Sequence, residues 1–312
     1  MAERRKRGTR KRWLAPAAVL GLAAIMGGGS AAAVLRGGAQ PSGLLAAPKP
    51  ALIGTSGTLT LGEQAGDVAL LVTARRGGPI ELIVLTGDRN PSSQAVRATV
   101  NERGADLQTC GDECYRIAEP ALQGSPASIA VTIRRAGKPT RSAVVRLPAR
   151  LPPSGDAALA RAQRVMHALR TLRYRETLTG GLGGTVIGRF QVQAPDRLRI
   201  DSNFDEHIIF IGKTRWLQSN GEWTKSAFPG IRQPAYAWDG AARARVLARP
   251  RLGSARGWVL ALAKAGPNPV WFRLVVASSG HVREMRMITR AHFMTQRFSG
   301  FNRPVSIQAP TP

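Results

Sequence analysis

The sequence predicts a mainly β protein: a small antiparallel β-sandwich, then an α+β unit built on a curved antiparallel sheet, behind one N-terminal transmembrane helix. Three observations predict it. Short apolar runs recur between turn residues from 51 to 150. A second strand-rich run, 185–230, contains no helical period. An uncharged stretch, 14–35, follows a basic segment at the very start of the chain.

Residues 1–13 carry seven Lys or Arg side chains against Glu3, and the next 22 residues carry no charge. A helix of that length crosses a bilayer core. Basic residues in front of it place the N-terminus in the cytoplasm and the rest of the chain outside. The expected location is the cell membrane, single-pass, with membrane lipid around this helix. Cleavage after the small-x-small pattern at Ala31 and Ala33 is the alternative, and it releases a secreted protein. Residues 36–50 form a Gly/Pro/Ala linker.

At 312 residues the chain has room for two domains of ordinary size, expected at 51–150 and 151–312. Its formal charge is +26, supplied mostly by arginine. Beyond the N-terminus there is no dense basic run and no aromatic recognition motif of the kind that binds nucleic acid. The charge therefore reads as arginine spread along the chain, and no nucleic-acid partner is expected.

In the first unit the runs GTLTL, DVALLVTA, PIELIVL, AVRATV, CYRIA, SIAVTIRR and TRSAVVRL are separated by Asp67, Gly77-Gly78-Pro79, Gly104 and Gly137-Lys138-Pro139. Short strands at this spacing indicate a sandwich. The chain has two cysteines, Cys110 and Cys114, a pair suited to one local disulfide in an oxidising compartment. Copper coordination by the two thiols is the competing use. The strand spacing and the CGDECYR segment resemble immunoglobulin-like modules of the YtkA and FixH type. That resemblance implies a membrane-bound copper-resistance protein as partner.

LPPSGD, 151–156, marks the boundary, with Asp156 as an N-cap. From there an amphipathic helix is expected, its stripe formed by Leu159, Ala162, Met166, Leu169 and Leu172. His167 sits beside the stripe as a boundary residue. The glycine-rich 180–184 lies between a helix and a strand, the wrong order for a phosphate loop, so it reads as a turn.

The run 185–230 then gives consecutive antiparallel strands. Phe190 and Val192 alternate with glutamines, and Leu198 and Ile200 with arginines. Ile208 to Ile211 are apolar on both faces. Asn220-Gly221 is a two-residue hairpin turn, which sets Trp216 and Trp223 as diagonal neighbours on one face. Residues 235–250 read as a short helix capped by Asp239 and ended by Pro250. Three further strands follow, the last two joined after Ser279-Gly280.

APDRLRI, the segment IIFIGKTRWLQSNGEWTK and the ending FSGFNRPVSIQAP together resemble the LolA/LppX-type lipoprotein-fold superfamily. The resemblance implies a half-open barrel, a curved sheet packed against helices, whose concave face holds acyl chains. The expected ligand-binding residues are Phe190, Val192, Ile209, Ile211, Trp216, Trp223 and Trp271, and the ligand is apolar or lipid-like. The chain lacks the family's lipidated cysteine.

Catalysis is not expected. There is no G-x-S-x-G elbow and no H-E-x-x-H motif, and Asp205-Glu206-His207 reads as an exposed turn. No cofactor is expected, with copper as the alternative. Histidine and methionine suit copper in an exported protein, and His281, Met285, Met287, His292 and Met294 fall within one short stretch. Core packing beneath the sheet is the competing reading of the methionines. An envelope interaction module without a small ligand is the third reading.

Overall fold

The computed structural model describes residues 52–86, 94–111, 113–179, 184–266 and 268–311. The expected anchor at 14–35, the basic segment before it, the linker and most of the glycine-rich 180–184 lie outside these residues. Among the described residues no helix is long and apolar enough to cross a membrane.

The first unit is a sandwich of two antiparallel sheets. One runs β1 (Thr58–Ala65), β2 (Val68–Arg75), β3 (Ile80–Thr86), β7 (Cys114–Ile117), β6 (Gln108–Gly111). The other runs β5 (Arg103–Ala105), β4 (Gln94–Val100), β8 (Ala127–Arg135), β9 (Arg141–Leu147). In β9 the inward Ala143, Val145 and Leu147 alternate with exposed residues, the period of a strand with one wet face. β2 and β3 show no such alternation and are buried almost end to end. Leu70, Val72, Leu82 and Val84 face the sandwich core. Their neighbours Ala69, Leu71, Ile83 and Leu85 face the second unit. Cys110 and Cys114 are joined as a disulfide, Cα atoms 5.1 Å apart, and close the β6–β7 hairpin.

The second unit begins with one helix, α1 (Asp156–His167). It is shorter than the expected stripe. Gly155, not Asp156, is the N-cap, and the Asp156 carboxylate instead accepts the Ala244 N–H at 2.8 Å. Leu169 lies past the helix and Leu172 belongs to β10 (Thr171–Thr179). From Thr171 onward the buried residues recur every second position, Leu172, Tyr174, Glu176, Leu178, so the strand period takes over from the helical one.

β10 lies at the centre of an 11-stranded sheet, ordered β15 (Glu222–Ala227), β14 (Thr214–Ser219), β13 (His207–Ile211), β12 (Arg197–Ser202), β11 (Thr185–Gln193), β10, β22 (His292–Ser299), β21 (Val282–Thr289), β20 (Val270–Val276), β19 (Trp258–Lys264), β16 (Arg245–Ala248). Every neighbouring pair is antiparallel. A single apolar cluster contains Phe210 from one end of the sheet, Leu260 from the other, and Leu159, Ala162 and Met166 of α1. The sheet thus curls around the helix.

The helix expected over 235–250 does not form. Asp239 and Gly240 make a turn, Gly240 and Arg243 adopt positive φ, and 245–248 becomes strand β16. The Asp239 carboxylate accepts the Tyr236 N–H at 2.9 Å, closing that turn rather than capping a helix. A small pair, β17 (Arg251–Leu252) with β18 (Ala255–Arg256), follows. The C-terminal tail returns over β10–β12: Asn302 accepts the Arg170 N–H at 2.8 Å, and Ile307, buried, exchanges bonds with Gln193 and Arg197.

The two units share a dry interface. Trp271, Ile288 and Phe293, on the sheet's outer face, meet Ile53 and the outer residues of β2 and β3. Trp271 Nε1 donates to the Thr60 carbonyl at 2.9 Å. Gly62 lies under the indole, where a Cβ would come within 2.6 Å of Trp271 Cε3. Gln64 donates to Thr179 Oγ1, and Arg290 pairs with Glu113 at 2.9 Å.

Candidate ligand-binding face

Strand register fixes which side chains share the inner face. One row runs Gly188, Glu176, Gln296, Met285, Leu274, Leu260 across β11, β10, β22, β21, β20 and β19. A second runs Val186, Leu178, Met294, Met287, Phe272, Leu262. On the other side of Glu176 lie Phe190, Tyr174 and Phe298. Tyr174 stacks on Phe190 at 4.4 Å and meets Phe298 at 5.4 Å.

Over this face lie α1 and the segment 228–244, which has neither helix nor strand. Its anchors are Tyr236 and Trp238, stacked on each other at 4.5 Å, with Trp238 set edge-on to Phe298 at 5.6 Å. The Tyr236 hydroxyl donates to the Met166 carbonyl at 2.9 Å, and burial pushes its pKa up. His167 holds Asp239 at 2.8 Å, and Lys264 donates to the carbonyls of Ala237 and Asp239. The segment is therefore tied down at its turn, and its rings occupy the inner face.

The interior is not wholly apolar. Glu176 is fully buried, and burial pushes its carboxyl up to about 7, against the lowering effect of the hydrogen bond from Gln296. That bond, Gln296 Nε2 to Glu176 Oε2, is 2.6 Å. Glu176 Oε1 and Trp238 Nε1 have no protein partner. Buried polar atoms are nearly always hydrogen-bonded, so two in one apolar cluster require an explanation.

The expected binding set does not share one surface. Phe190 and Val192 are buried on the inner face. Ile209 pairs with Arg199 and Trp216, and Ile211 with Arg197, so these lie on the outer face. Trp216 and Trp223 are diagonal neighbours across the Asn220-Gly221 turn, as the sequence predicts, but they also face outward. Leu217, opposite Ile208, is the inward residue. A run apolar on both faces gives no phase, and a shift of one residue exchanges the two faces. Trp271 lies in the interface between the units.

The five residues weighed for copper do not converge. Met285, Met287 and Met294 are buried in the apolar core, Met287 directly opposite Met294. His281 precedes β21 and packs on Phe301 at 4.4 Å, while His292 pairs with Thr289 at the other end. At about 3.3 Å per residue the two histidines are roughly 25 Å apart along the strand. Cys110 and Cys114 are bonded to each other. Among the described residues no group of three or more His, Cys, Asp and Glu side chains is placed to hold a metal. Replacing Met285 and Met287 together by Leu should cost under about 1.5 kcal/mol per site, because the swap conserves volume in a core. Urea denaturation checks this.

In Asp205-Glu206-His207 the imidazole turns away from both neighbours and meets Asp201 at 2.7 Å. Glu176 is hard to place on the inner face from the sequence because Leu172 also reads as the last position of a helical stripe. The period-two pattern Leu172, Tyr174, Glu176, Leu178 is the signal that could find it.

A curved antiparallel sheet closed over one helix, with an apolar inner face, defines the architecture. No family profile matches the chain, and no curated protein sequence matches it. Solved structures similar to it include the lipoprotein LppX of Mycobacterium tuberculosis, 12% identical, covering 49% of this chain and 98% of that one, TM-score 0.37. LprF from Mycobacterium bovis is 12% identical, covering 52% and 100%, TM-score 0.38. A LolA superfamily protein from Nitrosomonas europaea is 12% identical, covering 49% and 96%, TM-score 0.23.

Proposed function

We propose that the chain is a non-catalytic, membrane-anchored extracytoplasmic protein whose second unit binds one apolar or amphiphilic, lipid-like molecule on the inner face of its curved sheet. The observation that carries this reading is the pair of buried, unpartnered polar atoms, Glu176 Oε1 and Trp238 Nε1, within an apolar interior. A purely structural core has no use for them, whereas the polar group of an amphiphile gives such atoms partners. Admission requires Tyr236 and Trp238 to move, because their rings fill the face. The segment that carries them has no helix or strand to break, and lifting it costs the ties of Tyr236 to Met166, Asp239 to His167 and Lys264 to the turn.

Titration of the delipidated full chain with a fluorescent fatty-acid analogue tests the reading. Saturable uptake of one probe per chain is expected, with weaker uptake by Trp238→Phe, which keeps a ring but removes the indole N–H. A folded chain that takes up no probe supports the second reading, an envelope interaction scaffold. That second reading is favoured by the stack of Tyr236, Trp238 and Phe298 already filling the interior.

A further inference from the structure

The outer face of the same sheet carries a feature that inner-face ligand binding does not use. Arg189, Arg175 and Arg297 stand directly side by side on β11, β10 and β22. Strands lie about 4.8 Å apart, so three guanidinium-bearing side chains rise from adjacent positions. Like charges opposite one another in a sheet are unfavourable. Arg273 and Arg286 form a second such pair on β20 and β21.

The acids in this field are too few to neutralise it. Asp201 is next to Arg189 in register, but its carboxylate already holds Arg199 at 3.1 Å and His207 at 2.7 Å. Glu284 is shared by Arg273, Arg286 and Arg297 at 3.7, 3.4 and 3.3 Å. Arg297 is still 74% exposed and Arg286 50% exposed. Arg175 and Arg189 are exposed and, among the described residues, have no acidic partner.

We infer that the exposed arginine row on this outer face docks on a bilayer surface bearing anionic phospholipid, with Arg175, Arg189 and Arg297 on lipid phosphates. Guanidinium groups bind phosphate bidentately. Arg175 and its two neighbours stand on the central strands of the convex face, where a plane of headgroups meets all three at once. Docking also supplies the counter-charge that the side-by-side arginines lack. This surface is independent of the inner-face ligand, and either can hold without the other.

Cosedimentation of the full chain with sucrose-loaded vesicles tests it. The readout is the ratio of partition onto 7:3 phosphatidylcholine:phosphatidylglycerol to partition onto pure phosphatidylcholine. Partition is measured at lipid concentrations that bind less than half of the chain to either vesicle, so that the contribution of the N-terminal segment, common to all variants, divides out. Arg175→Gln/Arg189→Gln should lower the ratio about 25-fold, roughly fivefold per arginine near an anionic surface. The doubly substituted Lys variant, with the charge kept, should stay within a few-fold of wild type and shows that loss is not misfolding. Arg134→Gln, exposed on the first unit, should leave the ratio unchanged. The inference is overturned if the double Gln variant keeps the wild-type ratio, or if Arg134→Gln lowers it about fivefold, the same loss per arginine, which would mean net charge alone. It is also overturned if duplex DNA at physiological salt is bound through Arg175 and Arg189 while vesicles are not.

Discussion

Trp271→Ala should split the unfolding of this protein into two transitions. Trp271 is 2% exposed, packs with Ile288 and Phe293 against Ile53, Leu71 and Ile83, and spends its only donor on the Thr60 carbonyl. Truncating a buried tryptophan costs about 3–5 kcal/mol, part transfer and part cavity. Here the cavity opens between two cores that are otherwise separate clusters. The polar ties left across the boundary include Gln64 to Thr179, Arg290 to Glu113, Arg243 to the Gly54 carbonyl and the Ala291 N–H to the Thr86 carbonyl, and ties of this kind contribute on the order of 1 kcal/mol each. Calorimetry of the wild type should show one cooperative transition. In the variant the less stable unit should melt separately, its midpoint lower by roughly 6–20 °C. A single transition shifted by a degree or two would mean that the interface does not couple the units.

Glu176→Gln should flatten the stability of the protein against pH and raise it above pH 7. The folded state pushes the Glu176 carboxyl up from 4.5 to about 7, chiefly by burial. A carboxyl raised in this way is bound by its proton more tightly in the folded chain than in the unfolded one. Its stabilising contribution is complete below about pH 4.5 and is lost as pH rises through about 7. The loss amounts to about 3 kcal/mol at pH 8 on these values. Glutamine keeps the shape and can still bond to Gln296, so little is given up at low pH. Denaturant melts of both proteins from pH 4 to 8 should give a wild-type-minus-variant difference that grows with pH. A constant difference would place the charge of Glu176 in water rather than in the core.

Much of this architecture is legible in the sequence, and the illegible parts share a cause. The sandwich is readable because Asp67, Gly77-Gly78 and Gly137 cut the chain where strands must turn. The β14–β15 hairpin is readable because Asn220 and Gly221 both adopt positive φ, 55° and 86°, as a tight two-residue loop requires. What cannot be read is phase. Ile208, Ile209 and Phe210 are all apolar and all buried, so nothing local says that Ile209 faces outward with Trp216 and Trp223. Trp271 reads as a binding residue because the sequence does not reveal that the first unit covers it. The helix expected over 235–250 has good composition but loses to the tertiary fit of Tyr236 and Trp238 against Phe298. Glu176 is hidden for a similar reason: helix and strand periods overlap at 169–176, and only the sheet register puts it opposite Gly188 and Gln296.

Residues that face each other are therefore a tertiary fact here, while residues that alternate or turn are a local one. The copper reading illustrates the difference. His281 and His292 are close in number, but a hairpin holds them at opposite ends, and the methionines between them fill the core.

Native mass spectrometry of the full chain, extracted from membranes without delipidation, addresses the inner-face assignment most directly. The predicted spectrum shows the chain carrying the mass of a single amphiphile, displaced by added fatty acid. A folded chain seen only at its bare mass, both as extracted and after incubation with lipid, would contradict it.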